Sequence, residues 1–115
     1  MDAMIHETLL DGDRLSELAD EVGEEDLIAV LLMFLDEAEG EIAHLSGGLD
    51  DEAHAKSAHF LRSGALNIGF AALAEAAREA ADLPASHRFA AGTMLTGLVA
   101  RSRAAVMMRE AAGPG

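Results

Sequence analysis

The segment Ala58-His59-Phe60-Leu61-Arg62-Ser63-Gly64-Ala65-Leu66-Asn67-Ile68-Gly69 decides how this chain folds and where it can do chemistry. Apolar residues recur in it at the spacing of an amphipathic α-helix, and Gly69 is a natural helix end. At about 100° per residue, Leu61 and Ala65 lie on the buried side, while His59 lies almost opposite and faces solvent. The segment therefore predicts a core helix that presents one histidine at the surface.

The rest of the chain predicts further helices and no strand, because sustained alternation of β-branched residues is absent. Aspartates and serines that can cap helices precede the apolar repeats, and Gly or Pro follows them. The predicted signals are Asp13 and Gly23 for a short first helix, Glu24 and Ser46-Gly47-Gly48 for a long second, Asp50 and Gly69 for the third, Leu83-Pro84 after the fourth, and Ser86 before the fifth. This pattern predicts an all-α fold, an antiparallel up-down four-helix bundle with a short additional N-terminal helix.

A chain of 115 residues is expected to form one domain, residues 1–115. We expect residues 1–12 to be frayed or loosely docked, with Ile5, Leu9 and Leu10 as contacts to the body, and residues 113–115 to be frayed. Only four residues are aromatic, all of them Phe, so the core must be built from aliphatic side chains and alanine.

Composition limits the classes of function. The chain has no cysteine, which excludes disulfides and thiol catalysis, and its net charge of −13 argues against nucleic acid and anionic membrane surfaces as partners. The start Met1-Asp2-Ala3-Met4 lacks a signal-peptide pattern, and the longest apolar run, residues 27–35, is too short to span a bilayer. These features predict a soluble cytoplasmic protein.

The neighbours of His59 give it a chemical context. One turn before and after it lie the small residues Ala55 and Ser63, and three residues to either side lie the cations Lys56 and Arg62. Small neighbours leave the imidazole open to a macromolecular partner, and the cations would stabilise an attached phosphoryl group. A neutral imidazole is itself a competent nitrogen nucleophile.

The run from His59 to Gly69 resembles the signature of the histidine phosphotransfer (HPt) domains of bacterial two-component phosphorelays. In that family the histidine is followed by Leu two residues on, by Lys or Arg three on, by small residues four and five on, and by Gly ten on. Leu61, Arg62, Ser63, Gly64 and Gly69 occupy those positions here. The family most often has Gly where this chain has Ser63, whose hydroxyl can hydrogen-bond the imidazole or a phosphate.

The resemblance implies a four-helix bundle with the histidine exposed on the second bundle helix. It implies that His59 accepts a phosphoryl group from the aspartyl phosphate of a response-regulator receiver domain and passes it to another receiver domain. The chain would then be a phosphocarrier and not a turnover enzyme. It would need no cofactor of its own, since the receiver domain supplies Mg²⁺. A hybrid histidine kinase is a further expected partner, and we expect a monomer.

Helix geometry extends the site beyond the motif. Arg62 and Lys56 are assigned to phosphate electrostatics, and Ala55, Ser63, Gly64 and Gly69 to access and packing. A docking patch is predicted from surplus apolar residues of the second helix and from the exposed end of the third: Ile28, Leu32, Met33, Leu66 and Asn67.

Each assignment has a plainer alternative. An isolated surface histidine usually has no role, Lys56 can pair with Glu52, Gly64 can serve helix packing alone, and surplus apolar residues are more often core. The alternative function is a non-phosphorylated helical adaptor that binds a receiver domain or a histidine kinase. The remaining histidines are predicted to be solvated (His6, His44 and His87) or hydrogen-bonded at the core boundary (His54), and no metal site is expected.

Overall fold

The computed structural model describes residues 8–46 and 50–112, and these residues form five α-helices and no strand. The all-α prediction is therefore confirmed. The helices are α1 (Gly12–Val22), α2 (Glu24–Ser46), α3 (Asp51–Ile68), α4 (Ala71–Ala80) and α5 (Arg88–Ala112), and a 3₁₀ turn (Ala85–His87) precedes α5. No helix in this part of the chain is long and apolar enough to cross a bilayer.

Aspartates cap α1 and α3. The Asp11 carboxylate accepts a hydrogen bond from the Arg14 backbone N–H at 3.2 Å, and the Asp50 carboxylate accepts one from the Ala53 N–H at 2.8 Å. The prediction of Asp13 as the first cap is wrong, because Asp13 lies inside the first turn of α1. The side chain that caps is the one whose backbone is still extended.

The C-terminal ends of the helices follow the predicted glycine and proline signals, but the predicted start of α5 at Ser86 is wrong. Gly23 and Gly69 end α1 and α3 at φ values of 90° and 94°, which favour glycine. Ser86 does not cap α5, because the 3₁₀ turn delays the helix until Arg88, and its Oγ instead lies 3.1 Å from His87 Nδ1.

The predicted apolar stripes form the core, with two exceptions: Val22 of α1 and Met94 of α5 belong to these stripes by spacing but are exposed. The buried stripe of α2 comprises Leu27, Leu31, Phe34, Leu35, Ala38, Ile42 and Leu45, and α3 contributes His54, Ala58, Leu61 and Ala65. The buried side of α3 thus fixes which of its residues face solvent.

Helices α2 to α5 contact each other in a closed ring, α2 with α3, α3 with α4, α4 with α5 and α5 with α2, and α1 packs on α2 and α3. Ion pairing joins the start of α2 to the end of α5, where Arg109 Nε and Nη2 lie 2.6 and 3.0 Å from the carboxylate oxygens of Glu24. At the opposite ends, Gly92 packs so closely on Ser46 that a Cβ at residue 92 would overlap the Ser46 hydroxyl.

α3 is held between α2 and α4. The Ser57 hydroxyl donates to the Glu41 carboxylate of α2. On the other side, His54 Nε2 lies 2.8 Å from the Ala80 carbonyl oxygen at the end of α4, to which it donates. These contacts leave one face of α3 open to solvent, and that face carries His59.

Residues at the start of the described chain pack on the core and hydrogen-bond to the end of α3. Leu9 and Leu10 are partly buried against the core, which confirms them as contacts to the body. The Asp11 N–H donates to the Gly69 carbonyl at 2.8 Å, and Arg14 Nε donates to the Asn67 carbonyl at 2.7 Å. Ile5 and residues 113–115 lie outside the described residues.

Candidate functional site

His59 lies on the solvent-exposed face of α3, as predicted. The residues one turn away, Ala55 and Ser63, are also exposed, so only small side chains flank the ring along the helix. Ala58 and Leu61, on the opposite side, are fully buried. Because the core holds that side, the outward direction of His59 is a consequence of packing.

One hydrogen bond to the imidazole is present in the part of the chain that the structure describes. Ser63 Oγ lies 3.3 Å from His59 Nε2, at the long end of the range for a hydrogen bond. A hydroxyl can donate to a ring nitrogen that carries a lone pair or accept from a protonated one. Ser63, at the position where the HPt signature that this segment resembles most often has glycine, therefore contacts the exposed imidazole directly.

Arg62 is half-buried, and its positive charge affects the Glu75 carboxyl of α4. The hydrogen bond from Arg78 lowers the pKa of the Glu75 carboxyl, and the positive charge of Arg62 lowers it further by a smaller amount. Arg78 thus already pairs with Glu75, since its guanidinium donates two hydrogen bonds to that carboxylate.

Lys56 is exposed, and its Nζ lies 3.7 Å from Glu52 Oε2, so the alternative foreseen for it is confirmed. With both side chains in solvent, such a pair is worth well below about 1 kcal/mol. Lys56 is therefore held only weakly, but it has a carboxylate partner of its own within the helix.

The two glycines of the motif serve packing. Gly64 faces α2, where a Cβ would lie 2.5 Å from Phe34 Cε1. Gly69 is buried in the left-handed conformation, and a Cβ there would lie 3.0 Å from Leu15 Cδ2. Access to His59 therefore depends on Ala55 and Ser63, while Gly64 and Gly69 place the helix that carries it.

The predicted docking patch is partly at the surface. Met33 and Leu66 are 63% and 56% exposed, and Asn67 is exposed too. Leu32 is half-buried against the core. Ile28 is only 6% exposed, so its assignment to the patch is wrong. Its burial follows from the position of α2, which packs against α1, α3 and α5 and so buries more than one stripe.

Phe60 is a surface residue that lies outside the predicted site. Its side chain is 46% exposed beside His59. It also lines a groove of about 350 Å³ between α2 and α3, together with Glu41, His44, Ala53, Lys56 and Ser57. The available signal was an aromatic residue directly after the histidine and off the buried stripe. A larger groove, about 500 Å³ between α4 and α5, is lined by no histidine.

Of the other described histidines, two are exposed and one is buried. His44 and His87 are exposed, as predicted. His54 is 1% exposed and hydrogen-bonded, which places it fully inside the core and not at its boundary, and none of the described residues gives its Nδ1 a hydrogen-bond partner. Within residues 8–46 and 50–112, no group of three or more His, Asp or Glu side chains is placed to hold a metal ion.

No protein-family model, curated protein or solved structure matches this chain. The site is therefore interpreted from its own geometry: an exposed imidazole between two small residues, with a hydroxyl on Nε2 and a guanidinium one turn further along the helix. Such a group can accept an electrophile that a larger partner delivers.

Proposed function

We propose that this chain is a cytoplasmic, monomeric histidine phosphotransfer protein. His59 accepts a phosphoryl group from the aspartyl phosphate of a receiver domain and passes it to another receiver domain. The observation that carries the proposal is the exposure of His59 on α3 between Ala55 and Ser63, which leaves the ring open to a partner of protein size. The resemblance of residues 59–69 to the HPt signature supports the same assignment.

The proposal includes the bundle topology, in which α2 to α5 form an antiparallel up-down bundle and α1 is an additional helix. Contacts between opposite ends of neighbouring helices support it. Glu24 near the start of α2 pairs with Arg109 near the end of α5, and His54 near the start of α3 bonds Ala80 at the end of α4. Along α2 and α3 the contacts also run in opposite directions: Phe34 meets Gly64, and Glu41, further along α2, meets Ser57, which is earlier in α3.

The phosphoryl transfer to His59 needs no cofactor on this chain. The lone pair of one ring nitrogen of His59 attacks phosphorus, so that a P–N bond forms while the P–O bond of the aspartyl phosphate breaks. The electron pair of that bond returns to the carboxylate, and the proton on the other ring nitrogen passes to solvent. The receiver domain supplies Mg²⁺, and Arg62 contributes positive charge to the transferred group.

Exposed apolar side chains on α2 and α3 suit the docking of a receiver domain. Phe60 and Leu66 are exposed on α3, and Met33 is exposed on α2, which packs beside it. Large apolar side chains at a surface commonly mark protein contacts. A hybrid histidine kinase that carries such a receiver domain is a partner of the same class.

The test follows radiolabelled phosphate from a panel of phosphorylated receiver domains to this protein. Three proteins are compared: the wild type, His59→Gln, and the matched control His87→Gln, which removes another exposed histidine. We expect label on the wild type and on His87→Gln, none on His59→Gln, and a phosphate that is labile in acid and stable in base. Equal labelling of the wild type and His59→Gln would overturn the proposal.

The same experiment tests the adaptor. An adaptor binds a receiver domain or kinase with unchanged affinity after His59→Gln and never acquires phosphate. That combination, measured by calorimetry alongside the labelling, would replace the phosphotransfer proposal.

A further inference from the structure

We propose that Ser63 is a positioning residue for His59, an inference that rests on the proposed function. Its hydroxyl donates to Nε2 before transfer and to an oxygen of the phosphoryl group afterwards. The contact that carries this is the 3.3 Å separation of Ser63 Oγ and His59 Nε2 across one turn of α3. The family position is usually glycine, which has no side chain to do this.

The geometry favours serine for the task. Residues four apart on a helix are neighbours, and α3 is fixed by its buried side, so only the side-chain torsions of His59 remain free. Serine has a single side-chain torsion, and ordering it costs little entropy. Ala55, on the other side of the ring, carries no polar group, so nothing there replaces the hydroxyl if it is removed.

Among the described residues, neither neighbouring cation is hydrogen-bonded to the ring, so both act on it through charge alone. Lys56 pairs with Glu52 at 3.7 Å, and the charge of Arg62 acts on Glu75 of α4. Of the four residues within one turn of His59 singled out by the sequence, Ser63 is the one that the structure places in hydrogen-bond contact with the ring.

The hydrogen bond selects one tautomer. A neutral imidazole has one protonated nitrogen and one lone-pair nitrogen. A hydroxyl that donates to Nε2 keeps the lone pair on Nε2 and the proton on Nδ1, so the nitrogen further from the backbone is the nucleophile.

Transfer redirects the hydroxyl. As the Nε2 lone pair becomes the P–N bond, the O–H···N bond breaks, the leaving carboxylate takes the electrons of the P–O bond, and the Nδ1 proton passes to solvent. The Ser63 hydroxyl then lies beside the phosphoryl oxygens and donates to one of them. Hydrogen bonds to charged oxygens are stronger than bonds between neutral groups, so the serine stabilises the phosphorylated state.

The experiment compares wild type, Ser63→Ala, Ser63→Thr and the matched control Ser16→Ala, which removes an exposed hydroxyl from α1. NMR of the ring nitrogens reports the tautomer. We expect the Nδ1–H form of His59 in the wild type, a mixture in Ser63→Ala, recovery in Ser63→Thr, and no change in Ser16→Ala.

The same proteins are phosphorylated with phosphoramidate, which transfers its phosphoryl group and releases ammonia. We expect the rate of phosphorylation and the lifetime of phosphohistidine to fall about three- to tenfold in Ser63→Ala and to recover in Ser63→Thr. Phosphorus NMR checks that the linkage is at Nε2.

Two failures are distinguishable. A wild type labelled on His59 whose tautomer, rate and lifetime are unchanged in Ser63→Ala overturns the role of Ser63 and leaves the proposed function standing. A wild type that stays unlabelled with both phosphoramidate and the receiver domains overturns the proposed function, whatever its tautomer.

Discussion

Gly64 of α3 lies directly against the ring of Phe34 of α2, such that a Cβ at residue 64 would be 2.5 Å from Cε1 and 3.1 Å from Cζ. Phe34 cannot move freely, because its ring also stacks on Phe70 with centroids 5.9 Å apart. The missing side chain at residue 64 therefore sets how closely α2 and α3 approach. Ser63, its neighbour in sequence, is placed on the open face by the same contact.

Gly64→Ala should destabilise the protein although alanine is the better helix former. We expect the free energy of unfolding to fall by about 1–3 kcal/mol, because Phe34 must shift within a packed core. Urea unfolding followed by circular dichroism measures it. The matched control is Gly40→Ala in α2, where a Cβ meets nothing within 4 Å; it should gain about 0.5–1 kcal/mol. A gain in both variants would contradict the packing argument.

His54 should be a structural histidine. His54→Ala removes a buried ring and its hydrogen bond to Ala80, and we expect it to lower the free energy of unfolding by about 2–4 kcal/mol. His54→Gln should lose less, because its amide nitrogen can still donate to the Ala80 carbonyl oxygen. Thermal or urea unfolding measures the free energy of unfolding of both variants. Equal losses would contradict a stabilising role for the hydrogen bond to Ala80.

Local patterns predicted the helices and the outward direction of His59, because periodicity and end signals act within one or two turns. The pair Lys56 and Glu52 was foreseen for the same reason. The choice between Asp11 and Asp13 as the cap of α1 was not predictable. Both are capping residues, and the chain path at Asp11 is tied to α3 through the Gly69 carbonyl.

The errors and omissions concern contacts between helices. Ile28 was assigned to the surface because a single stripe defines one buried face, whereas α2 packs against three helices. The effect of Arg62 on Glu75 and the contact of Gly64 with Phe34 depend on how helices far apart in sequence come together. The bond between Ser63 and His59, by contrast, spans one turn and was anticipated.

Arg62 should matter more for phosphotransfer than Lys56. The carboxylate of Glu75 is already hydrogen-bonded by Arg78, which leaves the charge of Arg62 available to a phosphoryl group on His59, whereas Lys56 pairs with Glu52. We expect Arg62→Gln to slow transfer from a phosphorylated receiver domain about three- to tenfold and Lys56→Gln to change it less than about twofold. Quench-flow labelling measures both rates. Equal effects would show that the two cations act only through net charge.

A long side chain in place of Ala55 should block a protein partner but not a small donor. Ala55 is exposed one turn before His59, so Ala55→Gln should leave the free energy of unfolding within about 0.5 kcal/mol of wild type. We expect transfer from a receiver domain to slow about tenfold or more, because the reacting atoms can no longer approach closely. Phosphoramidate can reach the ring from the open side and should react at nearly the wild-type rate. Ala104→Gln, which changes another exposed alanine, on α5, is the control and should change neither rate. If both donors slow equally in Ala55→Gln, the substitution alters the imidazole itself, and small residues at this position do not act by admitting a partner.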